Sequence, residues 1–219
     1  MINIITLILY VKAIKSSDIS LVSPVSSFTP LFLLISSPFM LGEIPNTYGL
    51  AGVVLIVIGS YVINIKKSSL GFWEPFKFLL SEKGPQLMLI VAFLWSISSN
   101  FDKIGVQNSS PIFYSLAITI FIGLGTLPVM LLKSENCFNQ IHSKIHMLFL
   151  FGAITAAITI FQTMAINLAY VSYVIAIKRS SSVLSVIFGY LVFKEKGIKE
   201  RLVGCILMVL GVVLITLFS

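Results

Sequence analysis

The feature that most limits the fold of this chain is a succession of long apolar stretches. Seven of them are long enough to cross a bilayer, whose hydrocarbon core takes about 20 apolar residues, and one shorter stretch precedes them. The short stretch covers residues 2–14, and the seven cover residues 19–41, 47–65, 86–106, 111–132, 147–168, 170–193 and 199–218. Because the stretches are continuous rather than alternating, they indicate helices and not a barrel. The sequence therefore predicts an all-α, polytopic membrane helix bundle of about eight transmembrane helices.

Composition and the placement of charge restrict the class of protein. Only 11% of the 219 residues are charged, against about 25% in a soluble domain. A net charge of +7 would suggest a nucleic-acid partner in a soluble protein. Here 12 of the 15 Lys and Arg residues lie in the links 12–18, 66–84, 133–146 and 194–201, which indicates membrane orientation instead. We expect a multi-pass integral protein of the cell membrane, surrounded by lipid and without a nucleic-acid partner.

One predicted span, residues 170–193, carries two adjacent cations, Lys178 and Arg179. A cation at the centre of a membrane helix costs roughly 2.5–3.5 kcal/mol on insertion scales, so the pair needs an anion, carbonyl groups or a wet cavity. Ser182 belongs to a run of three serines directly after the pair, where its hydroxyl can hydrogen-bond to a solute. We expect these three residues to bind a small solute. Snorkelling of both cations to the headgroups is the alternative.

Three further polar residues in the spans are candidates for the same cavity. Asn100 and Asp102 lie near the end of the span 86–106, and Gln162 lies in the span 147–168. We expect Asp102 to pair with one of the two cations, and the two amides to contact the solute. The alternatives are interfacial snorkelling for Asp102 and its neighbour Lys103, and hydrogen bonds between helices for Gln162.

The spans contain no recognisable catalytic constellation. The sequence has no Ser/His or paired-Asp arrangement and no cluster of metal ligands within them. Its two cysteines, Cys137 and Cys205, fall in a link and in a span, which indicates neither a disulfide framework nor a metal site. We therefore predict that the chain is not an enzyme and uses no cofactor or metal.

An internal repeat is found when the chain is aligned with itself at a shift of 152 residues, without a gap over about 50 residues. The matched residues include two glycines and a glutamate in each copy: Gly52 with Gly204, Gly59 with Gly211, and Glu43 with Glu195. Four predicted spans lie between the two glycine-bearing spans, so these two spans, and with them the copies, run in opposite directions. Inverted repeats are typical of secondary transporters, whose solute site lies near mid-membrane.

The repeated residues are predicted to be structural. A seven-residue spacing places the two glycines of each copy on one helix face, where a neighbouring helix can approach closely. The glutamates are expected at a membrane surface, beside the positive start of the following span; proton coupling is the alternative. We predict an incomplete first repeat of three helices (1–66), a linker with an interfacial helix or a plain loop (67–84), and a second repeat of five helices (85–219).

Three stretches carry a resemblance to a known family. They are SLVSPVSSFTPLFLLISSPFMLGEIPNTYGLAGVVLIVIGSY (20–61), AFLWSISSNFDKIGVQNSSPIFYS (92–115) and YVIAIKRSSSVLSVIFGYLVFKEKGIKERLVGCILMVLGVVLI (173–215). Together they resemble the EamA-type members of the drug/metabolite transporter superfamily. The resemblance implies ten helices in two inverted halves, each with a glycine/glutamate turn before its last helix. Gly42 and Glu43 match that turn, whereas Lys194 replaces the glycine before Glu195.

The same resemblance carries an expectation about function. The family fold implies that the first two helices are lacking from this chain. Lys178 and Arg179 resemble the Lys-Arg pair in the ninth helix of related sugar-phosphate and nucleotide-sugar exchangers, where it faces the anionic substrate. We expect a secondary transporter, or a truncated form of one, for a small and anionic metabolite. The alternative is a non-transporting fragment or accessory subunit that assembles with another protein, and homo- or hetero-oligomers are left open.

Overall fold

The computed structural model describes residues 2–17, 19–66, 81–133, 145–192 and 198–218, and these form helices joined by short links. The helices are α1 (Ile2–Ser16), α2 (Ile19–Ser26), α3 (Thr29–Leu41), α4 (Thr47–Lys66), α5 (Lys83–Gln107), α6 (Pro111–Lys133), α7 (Ile145–Leu168), α8 (Val171–Arg179), α9 (Ser181–Leu191) and α10 (Ile198–Phe218). The predicted all-α membrane bundle is confirmed. Residues 67–80 of the predicted linker, and Glu195, lie outside the described residues.

Five helical stretches of the described residues are long and apolar enough to cross a membrane: Leu21–Leu41, Lys83–Gln107, Pro111–Pro128, Ile145–Leu168 and Val171–Phe188. Two shorter apolar helices, Thr47–Ile63 and Leu202–Phe218, belong to α4 and α10. The structure therefore shows a multi-pass helical protein, and the count of eight spans stays a prediction.

The link between α3 and α4 is shaped by local hydrogen bonds. Gly42 has a φ of 70°, a left-handed conformation that glycine adopts without strain, and its N–H donates to Pro38 O at 3.1 Å. Asn46 then caps α4, because its Oδ1 accepts the N–H of Gly49 at 2.7 Å. The Nδ2 of Asn46 donates to Phe218 O at 2.9 Å, which ties the start of α4 to the end of α10.

Two of the predicted spans are broken, and the breaks fall at equivalent positions of the repeat. At the first break, between α2 and α3, Phe28 N–H donates to Val25 O at 3.2 Å. At the second, between α8 and α9, Ser180 N–H donates to Ile177 O at 2.9 Å. The donor and the acceptor of the second bond each lie 152 residues after those of the first. Prolines flank the first break and none lies in α8 or α9, so the tight three-residue turn is what the two copies share.

The four repeated glycines form a single helix crossing between α4 and α10. A Cβ atom added to Gly52 would lie 2.7 Å from Gly211 O, and one added to Gly59 would lie 2.6 Å from Gly204 O. Conversely, a Cβ atom added to Gly211 would lie 2.6 Å from Gly52 O, and one added to Gly204 would lie 2.7 Å from Gly59 O. Residue numbers rise along α4 as they fall along α10, so the helices cross antiparallel. The repeat shift exchanges the two contacts, which therefore obey an approximate two-fold symmetry.

Apolar side chains interlock around this crossing in symmetric pairs. Ile56 and Met208, which the repeat makes equivalent, are both fully buried. Ile63 and Ile215, a second equivalent pair, lie against the glycines of the opposite helix. Because lipid tails are as apolar as these side chains, close van der Waals contact rather than exclusion from water stabilises such an interface.

A separate apolar cluster fixes the position of α8. Leu33 of α3 is fully buried against Ile166 of α7 and against Val171 and Ile175 of α8. These contacts orient α8, so that its last residues, which include both cations, reach the middle of the bundle.

Candidate solute-binding site

A cavity of about 660 Å³ lies among α1, α5, α6, α7 and α8, beside the starts of α3 and α9. Its volume falls within the range of about 300–1,000 Å³ that is typical of small-molecule sites. Five of the six residues predicted to contact a solute line this cavity: Lys178, Arg179, Asp102, Gln162 and Ser182. The fold thus brings together residues that are up to 80 positions apart in the sequence.

Asn100, the sixth predicted residue, does not line this cavity. Its side chain is fully buried between α5 and α3. Its Oδ1 accepts the hydroxyl of Ser37 at 2.8 Å, and its Nδ2 donates to Ser36 Oγ at 2.9 Å. Asn100 therefore joins two helices through hydrogen bonds, and we leave it out of the candidate site.

Arg179 is held in place from two neighbouring helices. Its Nη2 donates to Thr29 Oγ1 at 3.1 Å, across to the first residue of α3. Its Cζ lies 6.0 Å from the ring centroid of Trp95 on α5, at the outer limit of a cation–π contact. Arg179 also ends α8, where a positive charge suits the negative end of the helix dipole. These contacts fix the guanidinium at the wall of the cavity.

Lys178 has fewer constraints than its neighbour. Its side chain is exposed, and its Nζ donates to Gln162 Oε1 on α7 at 2.6 Å. The expected ion pair between Asp102 and one of the cations is not formed. Instead, Asp102 Oδ1 accepts the hydroxyl of Tyr114 on α6 at 2.8 Å. Asp102 can hydrogen-bond to α6 because a short link joins α5 and α6 and brings Tyr114 close to Asp102.

Glu43 and Lys103 form a buried ion pair that the sequence analysis did not identify. Glu43 Oε2 also accepts the N–H of Val171 at 2.8 Å, at the positive start of α8. Lys103 Nζ donates in addition to Ala169 O at 2.9 Å. Glu43 was expected beside the start of α4, and it lies instead at the start of α8. Lys103 is buried, so the alternative of interfacial snorkelling does not hold for it.

A signal for this pair was present in the sequence. The predicted topology places the end of α3, the end of α5 and the link between α7 and α8 at the same membrane face. That face holds Lys103 as its only Lys or Arg, and Glu43 lies there in a short turn. A single cation beside a carboxylate at one face indicates pairing, because an unpaired charge there would be costly to bury. Trp95, the aromatic partner of Arg179, gave no comparable signal.

Comparisons with known proteins agree with this architecture. A family model described as "EamA-like transporter family" matches residues 1–65 and 82–217. A solved structure described as "Crystal structure of protein" is similar in fold, with a TM-score of 0.71 and 16% sequence identity over 99% of this chain and 75% of that chain. No match was found among curated proteins. Because the family match covers most of its length, this chain belongs to the EamA-like transporter family.

Proposed function

We propose that this protein moves a small anionic organic solute across the membrane by alternating access, with the 660 Å³ cavity as its binding site. Membership of the EamA-like family supports a membrane transporter of small solutes. The observation that carries the finer proposal is the placement of Lys178 and Arg179 on the wall of the cavity, at the break of a span. Intramembrane cations that line a cavity mark solute pathways by default.

The break supplies further groups that favour an anion. Helix α9 begins at Ser181, directly after the cations, so its positive end lies beside them. The hydroxyls of Ser181 and Ser182 belong to side chains that line the same cavity. Discontinuous helices that present their starts to anionic substrate groups are a recurring device in secondary transporters. A carboxylate or phosphate is the solute group that suits this set of donors.

The two cations differ in what holds them, and this suggests different roles. Among the described residues, Lys178 hydrogen-bonds to one neutral group, the amide of Gln162, which a solute anion can replace. Arg179 is bound by Thr29 and covered by Trp95, so its guanidinium can act without moving. We expect Lys178 to contact the solute directly and Arg179 to provide a fixed positive field. An ammonium group on a flexible stem suits the first role, and a rigid planar fork suits the second.

Replacement of Lys178 by glutamine should lower uptake of anionic solutes at least about tenfold, since a charged hydrogen bond is worth roughly 1.5–3 kcal/mol. Its folded yield should stay near that of the wild type, because the side chain is exposed. Arg179→Gln should lower uptake and yield together, because the contacts of the guanidinium with Thr29 and Trp95 are lost. Uptake of labelled small carboxylates, organic phosphates and sulfate into proteoliposomes measures the first effect, and gel filtration in detergent measures the second.

Lys12→Gln provides the matched control, because Lys12 is exposed on α1 and does not line the cavity. Uptake at the wild-type level in both cation variants would contradict the anionic-solute proposal and favour snorkelling.

A second candidate function is that of a subunit that assembles with another membrane protein. It is favoured by an asymmetry, since the helices of the two halves are not covered equally by neighbouring helices. Helix α5 packs against α1, α2 and α3. Among the described residues, no helix packs in the equivalent way over α7, α8 and α9. Thr6 on α1 is fully buried, whereas its repeat equivalent on α7, Ile158, is 50% exposed. A transmembrane helix of a second protein, running opposite to α5, would restore the symmetry and cover Lys178.

A photoreactive residue at position 158 tests this assembly in native membranes. We expect the photoreactive residue at position 158 to form a covalent adduct with a membrane-protein peptide. A photoreactive residue in place of Phe121 on α6, which is 63% exposed, should react with lipid only. Lipid adducts at both positions would show that lipid covers this face, and the assembly proposal would fail.

A further inference from the structure

We propose that Asp102 is the proton-carrying group of this site, so that the protein takes up one proton together with its anionic solute. The proposal rests on the proposed function, since it assigns the coupling ion of the same cavity. It is carried by a difference in how the carboxylates of Asp102 and Glu43 are bonded.

Glu43 is bonded in a way that requires its charge. Its oxygens face the ammonium of Lys103 and the N–H of Val171, and both of these groups can only donate hydrogen bonds. A proton on this carboxyl would remove an acceptor from a buried cation, which is strongly unfavourable. Glu43 is therefore a structural anion and cannot serve as a proton carrier without loss of the link that it forms.

Asp102 is bonded in a way that tolerates both charge states. Its partner is the hydroxyl of Tyr114, at 2.8 Å from Oδ1. A phenolic hydroxyl both donates and accepts, so it can donate to the carboxylate or accept the O–H of the carboxylic acid. No cation among the described residues lies within 4 Å of the carboxylate to hold its charge. Asp102 can thus gain and lose a proton while its contact persists.

The charged and titratable groups around Asp102 determine whether anion binding favours the uptake or the release of a proton. Lys178 and Arg179 of α8 share the cavity with it, as does Tyr10 on α1, and the phenol of Tyr114 on α6 contacts Asp102 directly. Helices α2 and α3 have no titratable residue, and α7 presents none to the cavity. Asp102 is the only acidic residue that lines the cavity within the part of the chain that the structure describes.

With Asp102 ionised, the cavity carries two positive charges and one negative charge, and the negative charge repels an entering anion. With a proton on Asp102, that repulsion is lost and both cations are left to the solute. Anion binding therefore favours proton uptake from solution, and by reciprocity protonation favours anion binding. A dianion that enters with one proton leaves the cavity neutral, which a site of low dielectric favours.

Sulfate is a suitable probe, because its charge does not change between pH 5 and 8. Binding of labelled sulfate to the full-length protein in detergent is measured by equilibrium dialysis over that range. We expect the affinity of the wild type to fall as pH rises, by up to about tenfold per pH unit, the slope for one linked proton. Asp102→Asn should bind sulfate with little dependence on pH. Tyr114→Phe should shift the midpoint of the profile without flattening it.

Asp102→Glu serves as the conservative variant and should restore the slope. Folding of each variant is checked by its melting temperature. Sulfate binding to the wild type that does not change with pH would overturn the coupling and leave the anion site intact. A full slope in a folded Asp102→Asn variant would also overturn it, by assigning the proton to another group. Equal and negligible binding by the wild type and Lys178→Gln would overturn the anion site itself, and the coupling with it.

Discussion

Replacement of Gly59 by leucine should reduce the folded yield of this protein several-fold, the largest effect we expect from a single substitution. An added Cβ atom would lie 2.6 Å from both Gly204 O and the Cγ of Met208. Backbone oxygen cannot move aside alone, so α4 and α10 would have to separate along their whole contact. In a membrane this separation removes the van der Waals contacts that hold the helices together. Fluorescence-detected gel filtration in detergent measures the yield.

Gly123→Leu is the matched control for this substitution. Gly123 lies in α6, and nothing approaches within 4 Å of its added Cβ atom. Both variants place the same large side chain in a membrane helix, so a difference between them reports the crossing and not helix propensity. Gly211→Leu should behave as Gly59→Leu does, since the repeat makes the two positions equivalent. Wild-type yield for both would mean that α4 and α10 do not need their close approach.

Lys103→Met should be nearly as damaging, because it leaves the carboxylate of Glu43 buried without its counter-ion. Removal of one partner of a buried pair costs about 3–5 kcal/mol, whereas replacement of both partners is often neutral. We therefore expect a large drop in melting temperature for Lys103→Met and a partial recovery in the double variant with Glu43→Gln. The glutamine keeps an oxygen that can accept the N–H of Val171.

Lys12→Met is the control for the loss of one lysine, since Lys12 is exposed. It should leave the melting temperature unchanged. If Lys103→Met has the same melting temperature as this control, the ion pair contributes nothing to stability. The link between the end of α5 and the start of α8 must then rest on apolar packing.

The sequence was sufficient for the class of fold, because the length and continuity of apolar stretches constrain a membrane protein strongly. The repeat also indicated which glycines share a helix face. Prolines in the sequence indicate a break within the span 19–41, but the break between α8 and α9 could not be placed in advance, since no proline marks it. At Ser180 the turn holds both a backbone and a side-chain hydrogen bond, because the N–H and the Oγ of Ser180 both donate to Ile177 O.

The candidate site was harder to predict, because side-chain partners depend on distances between helices. The positions of Lys178 and Gln162 near each other followed from their polarity within apolar spans. The partner of Asp102 did not, because Tyr114 is an ordinary residue for a membrane helix and its hydroxyl leaves no pattern in the sequence. Asn100 shows the opposite difficulty, since a polar residue in a span bonds a neighbouring helix as readily as it faces a cavity.

The crossing of α4 and α10 lies on the approximate symmetry axis, since it is formed by two contacts that the repeat exchanges. If the two halves exchange their conformations, points on this axis keep their positions. Points far from the axis move most. The glycines contribute no side chains that could re-pack around a large movement, and the side chains of Ile63, Met208 and Ile215 interlock against them. This close backbone contact thus lies where rocking of the two halves would demand the least movement. In the alternating-access cycle that we propose, this crossing would stay unchanged while the cavity walls on either side move.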